Sequence, residues 1–163
     1  MKKIAFIFIA IVFVTAGCSN ELEKNDPYTD GVQGENFTFY SNKALFDQSL
    51  LQRSVGVNSE FSIVKVDAVK NYFFNGDDAL VVTTSMNTKC EGDFKVIWDG
   101  SVMESYPSRI NLLLLWSGTC DDLLSPTEEV LILNINELIT DNDLSVNSLF
   151  SVINGSASHA AND

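Results

Sequence analysis

The chain is predicted to be all-β: an antiparallel β-sandwich with at most one short helix and one disulfide, with a small closed β-barrel as the alternative. Three observations carry this reading. Six or more runs rich in β-branched and aromatic residues recur at regular spacing. Clusters of Gly, Asp and Asn separate them. Between the runs, helical patterns of adequate length are missing, which argues against an α/β fold. The organising stretch holds three apolar runs, 79–84, 94–98 and 110–116, with Cys90 after the first and Cys120 after the third. If successive strands are antiparallel, both cysteines arrive at the same end of the fold, within reach of a disulfide.

Taken in order, the chain begins with Lys2-Lys3, then an apolar run over 4–14 that is too short for a stable membrane span. The run closes on Val14-Thr15-Ala16-Gly17-Cys18. Small residues before a cysteine at this point resemble the lipobox of bacterial lipoproteins, with Thr15 where leucine is usual. The resemblance implies cleavage after Gly17 and lipidation of Cys18. Residues 1–17 are then a signal peptide, and acyl chains anchor the rest to a membrane. With Cys18 acylated, Cys90 and Cys120 remain as an even pair in an exported, oxidising setting. A metal or redox role for that pair lacks a Cys-x-x-Cys spacing and a nearby histidine.

Cleavage removes two lysines, leaving 8 basic residues against 22 acidic ones, a net charge of −14 over 146 residues. So acidic a chain does not bind nucleic-acid backbones or anionic headgroups by charge. The length suits one domain, and eight phenylalanines with two tryptophans suffice for one core.

Residues 18–35 are polar and acidic, broken by Pro27, Gly31 and Gly34, and read as a lipidated flexible tether. Glu21, Glu23 and Asp26 also match the acidic clusters that some Gram-negative lipoproteins carry as a surface-export signal. The sandwich domain is placed at 36–154, followed by a disordered tail over 155–163. Within the domain, 36–40 is a short strand, and Asn42 caps a helix over about 43–53 with a narrow apolar side at Leu45, Phe46, Leu50 and Leu51. Residues 61–74 form a strand whose apolar phase changes near Ile63-Val64, the signature of a bulge. Asn75-Gly76 supplies a tight hairpin turn. In the next strand Leu80, Val82 and Met86 share one face, and Thr83, Ser85 and Asn87 the other. Phe94, Val96 and Trp98 alternate with Lys95 and Asp99, and Asp99-Gly100 turns the chain. The nearly continuous run 110–116 is expected to be a central strand covered on both faces. A loop over 118–126, a strand over 130–135, a turn at 140–143 and a closing strand over 146–153 complete the domain.

The stretch 90–98, then Pro107, 110–115 and Cys120-Asp121, resembles a group of small, largely uncharacterised β-rich bacterial lipoproteins. They share a cysteine-led strand, an apolar strand after a proline loop, and a second cysteine followed by a strand. The likeness covers about 79–138. Some members carry histidines near the first cysteine and at the end of the apolar strand, and here Asp93 and Trp116 lie near those positions, so the resemblance implies fold and cell-envelope location only.

Candidate chemistry is sparse. His159, the one histidine, sits in the polar tail, where nothing holds it as a general base. The carboxylate pairs Asp77-Asp78, Asp121-Asp122 and Glu128-Glu129 are adjacent in sequence and so do not face one another across a cleft. Asp141-Asn142-Asp143 offers hard oxygen donors for calcium but lacks the rest of an EF-hand loop. Of the aromatics, Tyr106 beside Pro107 is the candidate for an exposed binding contact. The expected role is a non-enzymatic binding or structural module, with no cofactor beyond the covalent lipid. Its partners are the membrane, through the anchor, and a protein, peptide or glycan. The outer membrane is the expected location, since Ser19 follows Cys18. The alternatives are a glycan- or peptide-acting hydrolase using unrecognised carboxylates, and a calcium-stabilised surface adhesin.

Overall fold

A computed structural model describes residues 30–53, 61–86, 88–121, 125–139 and 148–155. In chain order the elements are β1 (Val32–Gln33), β2 (Phe37–Ser41), α1 (Lys43–Arg53), β3 (Phe61–Val69), β4 (Ala79–Met86), β5 (Cys90–Trp98), β6 (Arg109–Cys120), β7 (Thr127–Asn134), the single turn α2 (Ile135–Leu138) and β8 (Leu149–Asn154). They form a five-stranded sheet in the order β1-β2-β5-β6-β8 and a three-stranded sheet in the order β3-β4-β7. Among the described residues no strand of one sheet pairs with a strand of the other, so the fold is a sandwich and the barrel alternative does not hold.

The sheets are not wholly antiparallel. β2 runs parallel to β5, and β6 parallel to β8. The chain itself still reverses direction at every pass, with α1 counting as one pass. The parallel pairs arise because the chain visits the other sheet, or α1, between them. β6 and β8, for example, are separated by β7 in the second sheet.

The core lies between the sheets. It is built from Phe37, Phe39, Phe94, Val96, Ile110, Leu112 and Leu114 on one side and Phe61, Leu80, Val82, Met86, Leu131 and Leu133 on the other. Phe61 meets Phe94 edge to face across the two sheets at 5.2 Å. A residual gap of about 10 Å³ beside Leu80, Leu112 and Phe150 is too small to hold more than a single water.

β6 is buried on both faces, as its unbroken leucines require. Ile110, Leu112 and Leu114 face the second sheet. Leu113 points the other way, into a smaller cluster with Tyr40, Leu45, Phe46 and Ile97. That cluster is roofed by α1. Asn42 caps the helix, its side-chain oxygen accepting the Leu45 N–H at 3.0 Å. On the exposed face Lys43 meets Asp47 one turn on at 2.9 Å, and this bond holds the Lys43 pKa above its usual value. The expected helix and its cap are thus present.

Several boundaries differ from expectation. The predicted bulge in β3 is there, as a register shift between Ile63 and Lys65. β3 stops at Val69, however, and the Asn75-Gly76 turn belongs to a nine-residue loop, 70–78, not a tight hairpin. β6 runs on through Gly118 and Thr119 to Cys120, where a loop was expected. Val32–Gln33, assigned to the tether, instead pairs with β2. Residues 135–138, in part predicted as strand, form the turn α2, capped by Asn134.

Cys90 and Cys120 are directly opposite in the β5–β6 register, with Cα atoms 4.0 Å apart, and form a disulfide. The next pair outward is hydrogen-bonded, with Asp121 N–H donating to the Lys89 carbonyl. Cys90 and Cys120 therefore occupy a non-hydrogen-bonded pair, the closer of the two kinds. Two residues inward Gly92 faces Gly118, and the Trp116 indole lies across both: a Cβ on Gly118 would stand 2.8 Å from its Cζ2. Trp116 also stacks edgewise on Phe94.

Candidate functional site

The strand directions sort the loops into two ends. One end holds the disulfide, the start of β3 at Phe61 and the close of β8, where the Asn154 amide donates to the Phe61 carbonyl at 2.7 Å. The other holds loop 70–78, loop 99–108 and α2. Leu80 and Ile135, which begin and follow the strands there, pack beside Leu112 and Phe150 of the facing sheet. Asp30, the first described residue, is at this second end as well, since Val32 pairs with Phe39 and β1 runs antiparallel to β2.

Loop 70–78 is fixed at its base by polar contacts. The Asp78 carboxylate accepts the N–H of Asn71, whose φ of 50° is left-handed. The Asp78 N–H donates to the Asn136 side chain. Asp77 accepts from the side-chain amides of Asn75 and Asn134. At the tip the Gly76 N–H donates to the Phe73 carbonyl, closing a four-residue turn over 73–76, and Gly76 leaves that turn with a left-handed φ of 89°. Phe74 occupies the first central position of that turn and its ring is fully exposed. Tyr72 is 46% exposed.

Loop 99–108 is built similarly. Asp99 accepts from the N–H and the hydroxyl of Ser101, and Gly100 takes a φ of 76°. Met103 then bridges to Arg109, the Met103 N–H donating to the Arg109 carbonyl at 2.8 Å. The segment between projects as a finger, with the Ser105 hydroxyl donating to the Pro107 carbonyl. Tyr106 stands at its tip, fully exposed as expected. Phe73, Trp98 and Trp116, by contrast, are half-buried, and the Trp98 indole N–H donates to the Ser101 carbonyl.

Two grooves flank these loops. One, of about 310 Å³, is lined by Met103, Arg109, Asn111, Leu149, Phe150 and Ser151. It lies on the part of the outer sheet face that α1 leaves open. The Arg109 guanidinium makes no ion pair among the described residues, and Asn111 donates to the Met103 sulfur. The other, of about 280 Å³, lies between β1 and the β7–α2 junction, under Phe73. Neither groove was anticipated. The one available signal was parity: Arg109 and Asn111 alternate with the inward-facing Ile110 and Leu112.

The carboxylate pairs serve the fold. Asp77 and Asp78 hold loop 70–78 to α2. Glu128 is exposed, while the half-buried Glu129 accepts from the Asn36 amide, so the two point to opposite sides of β7. Asp121 is exposed. Among the described residues no group of three His, Cys, Asp or Glu side chains could hold a metal ion, and no helix is long and apolar enough to cross a membrane. Cys18, Asp122, Asp141, Asn142, Asp143 and His159 lie outside the described residues. No protein-family model, curated protein or solved structure matches the chain.

Proposed function

We propose that the protein is a lipid-anchored component of a bacterial cell envelope, and that its sandwich is a non-catalytic binding or structural module. The supporting observation is the Cys90–Cys120 disulfide. It leaves Cys18 as the single remaining cysteine, placed just after a basic and apolar leader. An oxidised pair fits an exported domain, and a lone cysteine at the end of such a leader fits acylation. Ser19 fits retention in the outer membrane. The described carboxylate pairs supply no two groups facing each other across a cleft, and this favours binding or scaffolding over hydrolysis. The exposed loop tips at one end are the natural contact surface.

Mass spectrometry of the natively expressed protein tests the anchor. The expected N-terminal peptide begins at Cys18 and carries acyl chains, and a Cys18→Ser variant is released from the membrane fraction. An unmodified Cys18, or a membrane-bound Cys18→Ser variant, refutes it. Protease shaving of intact cells then reports which side of the outer membrane holds the domain.

A further inference from the structure

We infer that the end carrying Phe74 and Tyr106 rests on the lipid surface itself, with the two rings seated among the headgroups; this rests on the lipid-anchor reading above. Phe74 and Tyr106 are fully exposed, and each ring leaves a large apolar area in water. Among the described residues the exposed aromatics are Tyr72, Phe74 and Tyr106, and all three are at one end of the sandwich. Among the described residues the disulfide end has none.

The path of the chain points the same way. Asp30 lies at the aromatic end, and only eleven residues, 19–29, lie between it and Cys18. That segment spans at most about 40 Å when fully extended. An anchored domain is thereby held near the bilayer at high effective concentration, where weak insertion of two rings becomes effective. Aromatic side chains favour the interfacial layer, so the two rings orient a domain that the acyl anchor already holds at the membrane. Charge supplies no attraction, because the processed chain carries −14. The surface it fits is therefore rich in zwitterionic headgroups, and the contact resists salt.

The test uses the full acylated chain in phosphatidylcholine vesicles, with a photoreactive phenylalanine at position 74, at 106 or, as the far-end control, at 89. Lipid adducts are expected to be on the order of tenfold more frequent at 74 and 106 than at 89, the bias that partial burial of one ring produces. Equal labelling at the three positions, or none at 74 and 106, overturns the inference while an acylated Cys18 leaves the anchor standing. Adducts from 74 and 106 to a protein, in irradiated envelopes, overturn it in favour of a protein partner. An unacylated Cys18 overturns both readings together.

Discussion

Truncating neighbouring leucines in β6 separates the two cores. Leu113 is 0% exposed and Leu114 1%, yet they face opposite ways. Leu114 is locked between two sheets, and Leu113 is held between the central sheet and α1. Leu→Ala removes three carbons, about 2.4 kcal/mol of transfer free energy at roughly 0.8 kcal/mol each. The cavity left behind raises the total toward about 5 kcal/mol where the surroundings cannot settle. Two hydrogen-bonded sheets relax little, so Leu114→Ala is expected to cost about 3–5 kcal/mol. A helix roof can sink, so Leu113→Ala is expected near 2–3 kcal/mol. The local consequences differ further. An eleven-residue helix is marginal by itself and depends on its packed face. Leu113→Ala should therefore expose the amides of α1 to exchange well below the global unfolding free energy, while the β4 and β5 amides still exchange near it. Urea unfolding gives the first quantity and native-state hydrogen exchange the second. A Leu113→Ala cost under about 1 kcal/mol, or α1 protection that tracks the global value in both variants, would refute the assignment of Leu113 to a separate core beneath the helix.

Three further outcomes follow from the local geometry. Replacing both Cys90 and Cys120 by alanine opens a loop of sequence separation 30, and should lower the unfolding free energy by about 3–4 kcal/mol in urea titrations; a loss below about 1 kcal/mol would show that the unfolded chain is already constrained there. Asp78→Ala strips the Asn71 N–H of its acceptor and should cost about 1–3 kcal/mol. Proteolysis of that variant should begin within 70–78, whereas Asn71→Gly, which suits the left-handed backbone, should leave the loop resistant. Gly118→Ala drives a methyl into the Glu91 carbonyl and to 2.8 Å from the Trp116 ring. It should cost about 1–3 kcal/mol and shift tryptophan emission, and unchanged emission would mean that the indole does not lie across the glycine pair.

What was legible in the sequence is what depends on neighbours along the chain. Asn42 before Lys43 marked the helix start because a cap acts over three residues. The phase change at Ile63-Val64 marked a bulge because a bulge is one extra residue in a two-residue period. The leucines of β6 required cover on both faces whatever supplied it. The same local logic failed at Asn75-Gly76. A tight hairpin needs the strands to reach the turn, but Asp77 and Asp78 find partners in Asn134 and Asn136, far along the chain, and those bonds hold the loop open. The extension of β6 to Cys120 was hidden for a related reason. Gly118 reads as a breaker, yet here it faces Gly92 and makes room for the Trp116 ring. The grooves were invisible because no local pattern tells which half of an outward sheet face a helix will roof.

Strand order lay beyond sequence reasoning, but strand direction did not, and direction determines the candidate site. Each pass of the chain reverses, so every connection falls at one of two ends in strict alternation. The turn from β5 to β6 and the loop from β3 to β4 are an even number of passes apart, and they emerge together. The entry into β1 shares their end by the same count, with α1 taken as a pass. Cys90 and Cys120 flank a hairpin of two passes and must meet at the opposite end. The covalent link and the aromatic tips are thereby kept a full strand length apart, whichever sheet each strand joins. Inserting a one-pass element between β1 and β2 would break this arrangement, since it would move Asp30 to the disulfide end and turn Phe74 and Tyr106 away from the anchor. Photoreactive probes at 74 and 106 in such a chain should lose their lipid adducts while the fold, read by its disulfide and its unfolding free energy, stays intact.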